Sequence, residues 1–327
     1  GDQGGMKPAR LLAVIACSLL WGISYGQAPG YPSRPLRLIV PFPPGGSNDI
    51  VGRMIAAQLG ERLGQQVVVD NRGGAGGVLG TELAAKSPPD GYTLLLISVA
   101  YAFGPALYKS LPYDPEKAFA PVAMLGTGAV ALTVHPALPV NSARELIALA
   151  KAKPGTLNYA SAGVGSLQHL AGALFMSQAG IDVVHIPYKG GGPAMADVMA
   201  GQAQIVMPSM IQVIPIAKSG KLKVLGTSGA VRSAALPGVP TIAEAGLPGY
   251  DAHNWWGMLA PAGAPQAVIE RLHAAISEIL VSGETRKRFE TEGAEVVRMT
   301  PAEFGRFIAE ELAKWSKAAR AAGLKAE

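Results

Sequence analysis

Cysteine is nearly missing from this sequence: Cys17 is the only one in 327 residues. That excludes a disulfide framework and any zinc centre assembled from several thiolates. Charge is sparse too, at 16% of residues with a net balance of only +5. The basic residues are spread along the chain, so the footprint of a nucleic-acid partner is missing. Beyond the N-terminus there is no apolar run of the ~20 residues that a bilayer span needs. Familiar nucleotide signatures also fail. A dinucleotide fingerprint starting at Gly74 would need glycine where Leu79 stands, and Lys189 precedes its glycines instead of following them. A Gly-x-Ser-x-Gly elbow is broken by Tyr159 ahead of Ser161 and by Gln168 after Ser166. His135, His169, His185, His253 and His273 show no metal-ligand spacing. What remains is a globular composition, 49% apolar, and a length that suggests roughly two domains.

The first feature present is an address. Met6-Lys7-Pro8-Ala9-Arg10 is a short basic region, Leu11 to Ile23 is an apolar core, and Ser24-Tyr25-Gly26 is a small-residue site. That order is a secretory signal peptide cut after Gly26, so residues 1–26 are expected to be leader and N-terminal extension. Val14-Ile15-Ala16-Cys17 also has the composition of a lipoprotein site, but its apolar core would be only Leu11 to Ala16. The cleaved leader is the preferred reading, and it removes the single Cys.

After the leader, short apolar strands alternate with glycine loops and helices. Arg37 to Phe42 reads as a buried strand. Pro43-Pro44-Gly45-Gly46 is a turn, and Ser47 is expected to cap a helix through Val51, Met54, Ile55, Leu59 and Leu63. Val67 to Val69 and Tyr92 to Ser98 are further strands, with a helix between them whose apolar face is expected to be Leu79, Leu83 and Ala84. The middle repeats the scheme. Ser142 with Glu145 makes a capping box, Leu157 to Ser161 is a strand, and Ser166 caps a helix carrying Leu170, Ala171, Leu174 and Phe175. Val183 to Ile186, Gln204 to Met207 and Leu222 to Leu225 add strands. Such alternation predicts an α/β chain with mainly parallel sheet covered on both faces. Met124 to Val134 and Val224 to Ala230 each carry a Gly-Thr pair in an extended run. Either they are ordinary strands of one sheet, or they cross between two lobes. In the second case, 128–226 forms an inserted lobe, while 27–127 and 227–327 build the other.

Glycine loops that feed helix N-termini make anion sites, because the first N–H groups of a helix are unpaired and carry partial positive charge. Four such loops occur: Gly45-Gly46, Gly73 to Gly77, Gly163 to Ser166 and Gly190-Gly191-Gly192. In open α/β sheets, loops of this kind lie where ligands bind. Together they point to an anion-binding cleft. The candidate wall is Phe42, Pro43 and Pro44, and the candidate donors are Gly45, Gly46, Ser47, Gly76, Gly77, Ser98, Ser161, Gly165 and Ser166. Tyr188, Pro193, Ala194 and Asp197 flank them. Asp49 is an odd neighbour for an anion; it serves the helix dipole or touches the ligand, the former being preferred.

Specific residues carry a resemblance. Tyr31-Pro32-Ser33-Arg34-Pro35 leads into Leu36 to Gly46 with Asp49, followed by Val69-Asp70-Asn71-Arg72 and Pro89-Asp90-Gly91-Tyr92. Further on come Asn158-Tyr159-Ala160-Ser161 with Gly165-Ser166, Val184-His185-Ile186-Pro187-Tyr188-Lys189-Gly190, and Trp256-Gly257-Met258. In this order they closely resemble the Bug family, periplasmic substrate-binding proteins of tripartite tricarboxylate transporters. The resemblance implies a two-lobed, periplasmic-binding-protein-like fold of type II with two crossing strands as its hinge. It implies a periplasmic, monomeric, non-enzymatic receptor for a small organic acid: a di- or tricarboxylate, an acidic amino acid or an aromatic acid. No cofactor or metal is expected. The implied partners are the permease components of such a transporter or, alternatively, a sensor kinase that the receptor serves as ligand-dependent co-receptor. A secreted α/β hydrolase using Ser161 or Ser166 is the reading from another class. The resemblance also implies that the Ser161 to Ser166 loop grips a carboxylate directly, while the opposite loops reach it through water.

Overall fold

The structure is a computed structural model, and it describes residues 30–321. The leader, its cleavage site and Cys17 lie outside the described residues. Over the described part, two sheets form. The first has the order β11 (Ala294–Val296), β4 (Phe119–Ala129), β10 (His253–Pro261), β3 (Thr93–Ser98), β1 (Leu36–Val40), β2 (Val67–Asn71), and the second β7 (Val184–Pro187), β6 (Asn158–Ser161), β8 (Ile205–Val206), β5 (Ala131–Val134), β9 (Lys223–Thr227).

In the first sheet, β1 (Leu36–Val40) runs parallel to β2 (Val67–Asn71) and β3 (Thr93–Ser98), and β10 (His253–Pro261) lies antiparallel between β3 and β4 (Phe119–Ala129). The strands divide their side chains by the period of two that a pleat imposes. Leu36, Leu38 and Val40 face one core, joined by Leu94, Leu96, Trp256 and Met258. Ile39, Leu95, Ile97, Trp255 and Leu259 face the other. Helices α1 (Ser47–Leu63) and α8 (Gln266–Val281) cover the first face through Val51, Ile55, Leu59, Leu272 and Ile276. Helices α3 (Val99–Leu107) and α10 (Pro301–Ala321) cover the second through Phe103, Phe304 and Ile308. Near-continuous apolar strands are the consequence of this double cover.

The second sheet repeats the plan. Its strands β5 (Ala131–Val134), β6 (Asn158–Ser161), β7 (Val184–Pro187), β8 (Ile205–Val206) and β9 (Lys223–Thr227) lie between two helix layers. Leu132, Val134 and Tyr159 pack with Leu146 of α4 (Ala143–Ala152) and Phe175 of α5 (Leu167–Ala179). Ala131, Ala160 and Val206 pack with Met195 of α6 (Gly191–Met199) and Val213 of α7 (Met210–Lys218). The remaining elements are α2 (Val78–Ala85) and α9 (Gly283–Thr291) beside the first sheet, with β11 (Ala294–Val296) at its edge.

The chain passes from the first sheet to the second directly, β4 running into β5 with Val130 between them. The return is longer. Ile242, Leu247 and Tyr250 pack into the core of the second sheet, and only β10 rejoins the first. We therefore place the second crossing at residues 252–253, beyond the 226–227 boundary expected from sequence. Ser228 ties the two passages together: its Oγ accepts the Val130 N–H at 2.9 Å and donates to the Ala252 carbonyl.

Two local expectations change. Leu79 and Leu83 are exposed, and α2 instead buries Gly80, Thr81 and Ala84. A Cβ at Gly80 would lie 2.4 Å from the Arg72 carbonyl oxygen, so only a helix face of small residues can approach that closely. Ser47 is the first residue of α1 rather than its cap; Gly46 holds that place in extended geometry.

Candidate functional site

The carboxyl ends of β1, β3, β6 and β8 open onto a cleft between the two sheets, the position where open α/β sheets bind ligands. Its empty volume is about 410 Å³, open solvent at the mouth included. Five helices start at its wall: α1 at Ser47, α3 behind Ser98, α5 behind Ser166, α6 at Gly191 and α7 behind Ser209. Each presents first-turn N–H groups that have no carbonyl one turn back. None of the lining side chains is charged. The N-terminal ends of these helices place partial positive charge at the cleft wall.

The sequence-expected residues divide into several groups. Phe42, Gly46, Ser47, Ser98 and Ser166 line this cleft. Gly76, Gly77 and Gly165 line an adjoining chamber with Tyr101 and Tyr113, and Phe42 and Ser98 belong to both. Burial pushes the Tyr113 hydroxyl up to about 12. Pro43, Pro44 and Gly45 form a lip where the two lobes meet. A Cβ at Gly190 (φ 144°) would lie 2.9 Å from Pro43 Cγ, so glycine is required there twice over, by space and by backbone. Gly45 also gives its N–H to Asp49 Oδ2 at 3.1 Å.

Asp49 is a structural carboxylate. Besides Gly45, it receives Asn71 Nδ2 and Arg53 Nε, each at 2.9 Å. Burial works to raise its pKa, but the bonds from Arg53, Gly45 and Asn71 outweigh that and hold it below the usual carboxylate range.

The Ser161 to Ser166 loop also needs correcting, since its expected donors are engaged internally. Ser161 is fully buried; its Oγ accepts the Gly163 N–H at 3.1 Å and lies 2.6 Å from His185 Nε2. The Gly165 N–H donates to His169 Nδ1 at 3.3 Å, and Ser166 Oγ donates to the Gly163 carbonyl at 2.7 Å while accepting the His169 N–H, the expected cap. Ala162 and Ser166 of this loop line the cleft, together with Leu167 and Gln168 of the first turn of α5, whose N–H groups have no carbonyl one turn back. His169 and His185 stack at 4.5 Å behind the loop. Burial lowers the pKa of both; His185, with His169 beside it, falls to about 4, so the pair is neutral at pH 7.

The second flank lies outside the cleft wall. Tyr188 bonds to Asp197, which raises the Tyr188 hydroxyl, Pro193 is exposed, and Ala194, on α6, is buried in the core of the second sheet.

Sequence reasoning missed Asn48, Gln168, Ser209, Gln212 and Asn254, all lining the cleft. Gln168 Nε2 donates to Gln212 Oε1, and Gln212 Nε2 donates across the cleft to the Gly45 carbonyl, both at 3.3 Å. Asn254 Nδ2 lies 3.4 Å from Ser47 Oγ and 3.3 Å from Ser209 Oγ, bridging the two lobes at the cleft floor. Their only signal was a polar residue inside an apolar segment, such as Asn254 ahead of Trp255-Trp256.

Two α/β lobes, joined by two passages and enclosing a cleft of helix N-termini, define the periplasmic-binding-protein class of fold. Residues 51–324 match the family model described as the tripartite tricarboxylate transporter family receptor. The chain belongs to that family. It is 41% identical to protein BugT of Bordetella pertussis over 324 residues, covering 98% of this chain and 99% of that one. Among solved structures, periplasmic binding protein BugD superposes with a TM-score of 0.88 at 32% identity, covering 91% of this chain and all of that chain (100%). An R. palustris protein solved with adipate gives 0.86 at 34%, covering 90% and 98%. MatC from Rhodopseudomonas palustris, with bound malate, gives 0.84 at 32%, covering 88% and 100%.

Proposed function

We propose that this chain is a periplasmic receptor that closes on a small carboxylate and presents it to the membrane permease of a tripartite tricarboxylate transporter. The convergence of five helix N-termini on a cleft without charged lining side chains carries the reading. A carboxylate there satisfies the orphan N–H groups and lies at the positive ends of the dipoles. The relatives solved with adipate and malate support the ligand class. The family supports a receptor that acts by binding; of the two serines a hydrolase reading would use, Ser161 is fully buried, its hydroxyl held between the Gly163 N–H and His185 Nε2. The signal-peptide pattern and the periplasmic relatives support the location. The test is a thermal-shift screen of refolded mature protein against small organic acids. An acid at a hundred times its Kd stabilises the fold by about 2.7 kcal/mol. A broad panel with no member shifting the melting curve would refute the reading.

A further inference from the structure

The cleft holds two acceptors as well as its donors. Gln168 and Asn254 are 4% and 1% exposed. Gln168 Oε1 and Asn254 Oδ1 are both buried without a hydrogen-bond partner in the protein. Buried polar atoms are almost always paired, and leaving one unpaired is costly, so each such atom calls for an explanation.

The direction of the Gln168 amide follows from its neighbours. The Gly45 carbonyl only accepts, so Gln212 must turn its Nε2 toward it. Gln212 Oε1 then faces Gln168 and takes its Nε2. The Gln168 oxygen is left as the free end of the relay. The pair leaves no room for a side chain at Gly191, where a Cβ would lie 2.9 Å from the Nε2 atoms of both glutamines.

A simple carboxylate brings only acceptors and leaves both oxygens unpaired. An ammonium would donate, but it brings a full charge into a lining that has no carboxylate to pair with it. A hydroxyl donates without that cost. We propose that the cleft selects small carboxylates bearing a hydroxyl over the same acids without one, with Gln168 Oε1 as the acceptor of that hydroxyl. This rests on the carboxylate-receptor reading above and specifies its ligand.

Calorimetry with matched pairs tests it: malate against succinate, 3-hydroxybutyrate against butyrate, citrate against tricarballylate, with aspartate as the ammonium counterpart. The hydroxylated member of the best-binding pair should be tighter by about tenfold or more. In Gln168→Leu that ratio should fall toward one. Should this variant not fold, the wild-type ratios decide alone. Equal affinity within every pair, or aspartate tighter than malate, would overturn the proposal. Absence of binding by any acid would overturn the receptor reading beneath it, which is a different result.

Discussion

Gln212 and Gly45 lie 167 positions apart, on different lobes, and are joined by a 3.3 Å hydrogen bond from side-chain amide to carbonyl. The carbonyl belongs to a turn that Asp49 also holds through its N–H. One short turn therefore connects α1, the relay and the opposite lobe.

Asn254→Asp tests the electrostatics of the cleft floor. The substitution keeps the shape and places an anion among helix N-termini that would otherwise hold the ligand. Ligand affinity at pH 7 should fall about a hundredfold or more through like-charge repulsion. Calorimetry at pH 7 checks it; affinity equal to wild type would mean that the ligand lies elsewhere.

Ser228→Ala tests the joint between the two passages. It strips the acceptor from the buried Val130 N–H, a loss of about 1–3 kcal/mol. Melting should fall by several degrees, at roughly 2–4 °C per kcal/mol for a chain of this size. An unchanged melting temperature would show that the hydroxyl contributes nothing to the hinge.

His185 should make stability pH-dependent. Its folded pKa is lowered from 6.5 to about 4, chiefly by burial, so the unfolded chain binds the proton more readily. Stability from this group is present above pH 6.5 and is lost as pH falls toward 4. Allowing for its partial exposure, the loss is about 1–2 kcal/mol. Denaturant unfolding from pH 7 to 4.5 measures it. His185→Gln should flatten that slope, and a wild-type slope retained in the variant would assign it to other groups.

Much of this was legible in the residues. The alternation in Leu36 to Val40 reports a strand covered on both faces, and Ser166 caps α5 as its position suggested. The glycine loops located three of the five helix N-termini at the cleft, those of α1, α5 and α6. Ser98 and Ser209 lead helices without a glycine loop; Ser98 is among the candidate donors read from sequence, but Ser209 and α7 gave no sign. The outward turn of Leu79 and Leu83 follows from the approach of Gly80 to Arg72, a tertiary fact absent from helical periodicity. The Ser161 to Ser166 loop engages its donors internally for a related reason. His169 and His185 claim two of them, and their stacking depends on how α5 packs on β7. The return passage was placed early because 228–252 carries no strand pattern, although Ile242 and Tyr250 anchor it in the second core.

The central claim is that backbone dipoles at helix N-termini, rather than charged side chains, hold the negative charge of the ligand. Calorimetry at pH 7 comparing the best-binding acid with its own primary amide tests it most directly. The account predicts that the amide binds at least about tenfold more weakly, because it loses the charge and turns an N–H₂ toward backbone donors. Equal affinity for acid and amide would contradict it.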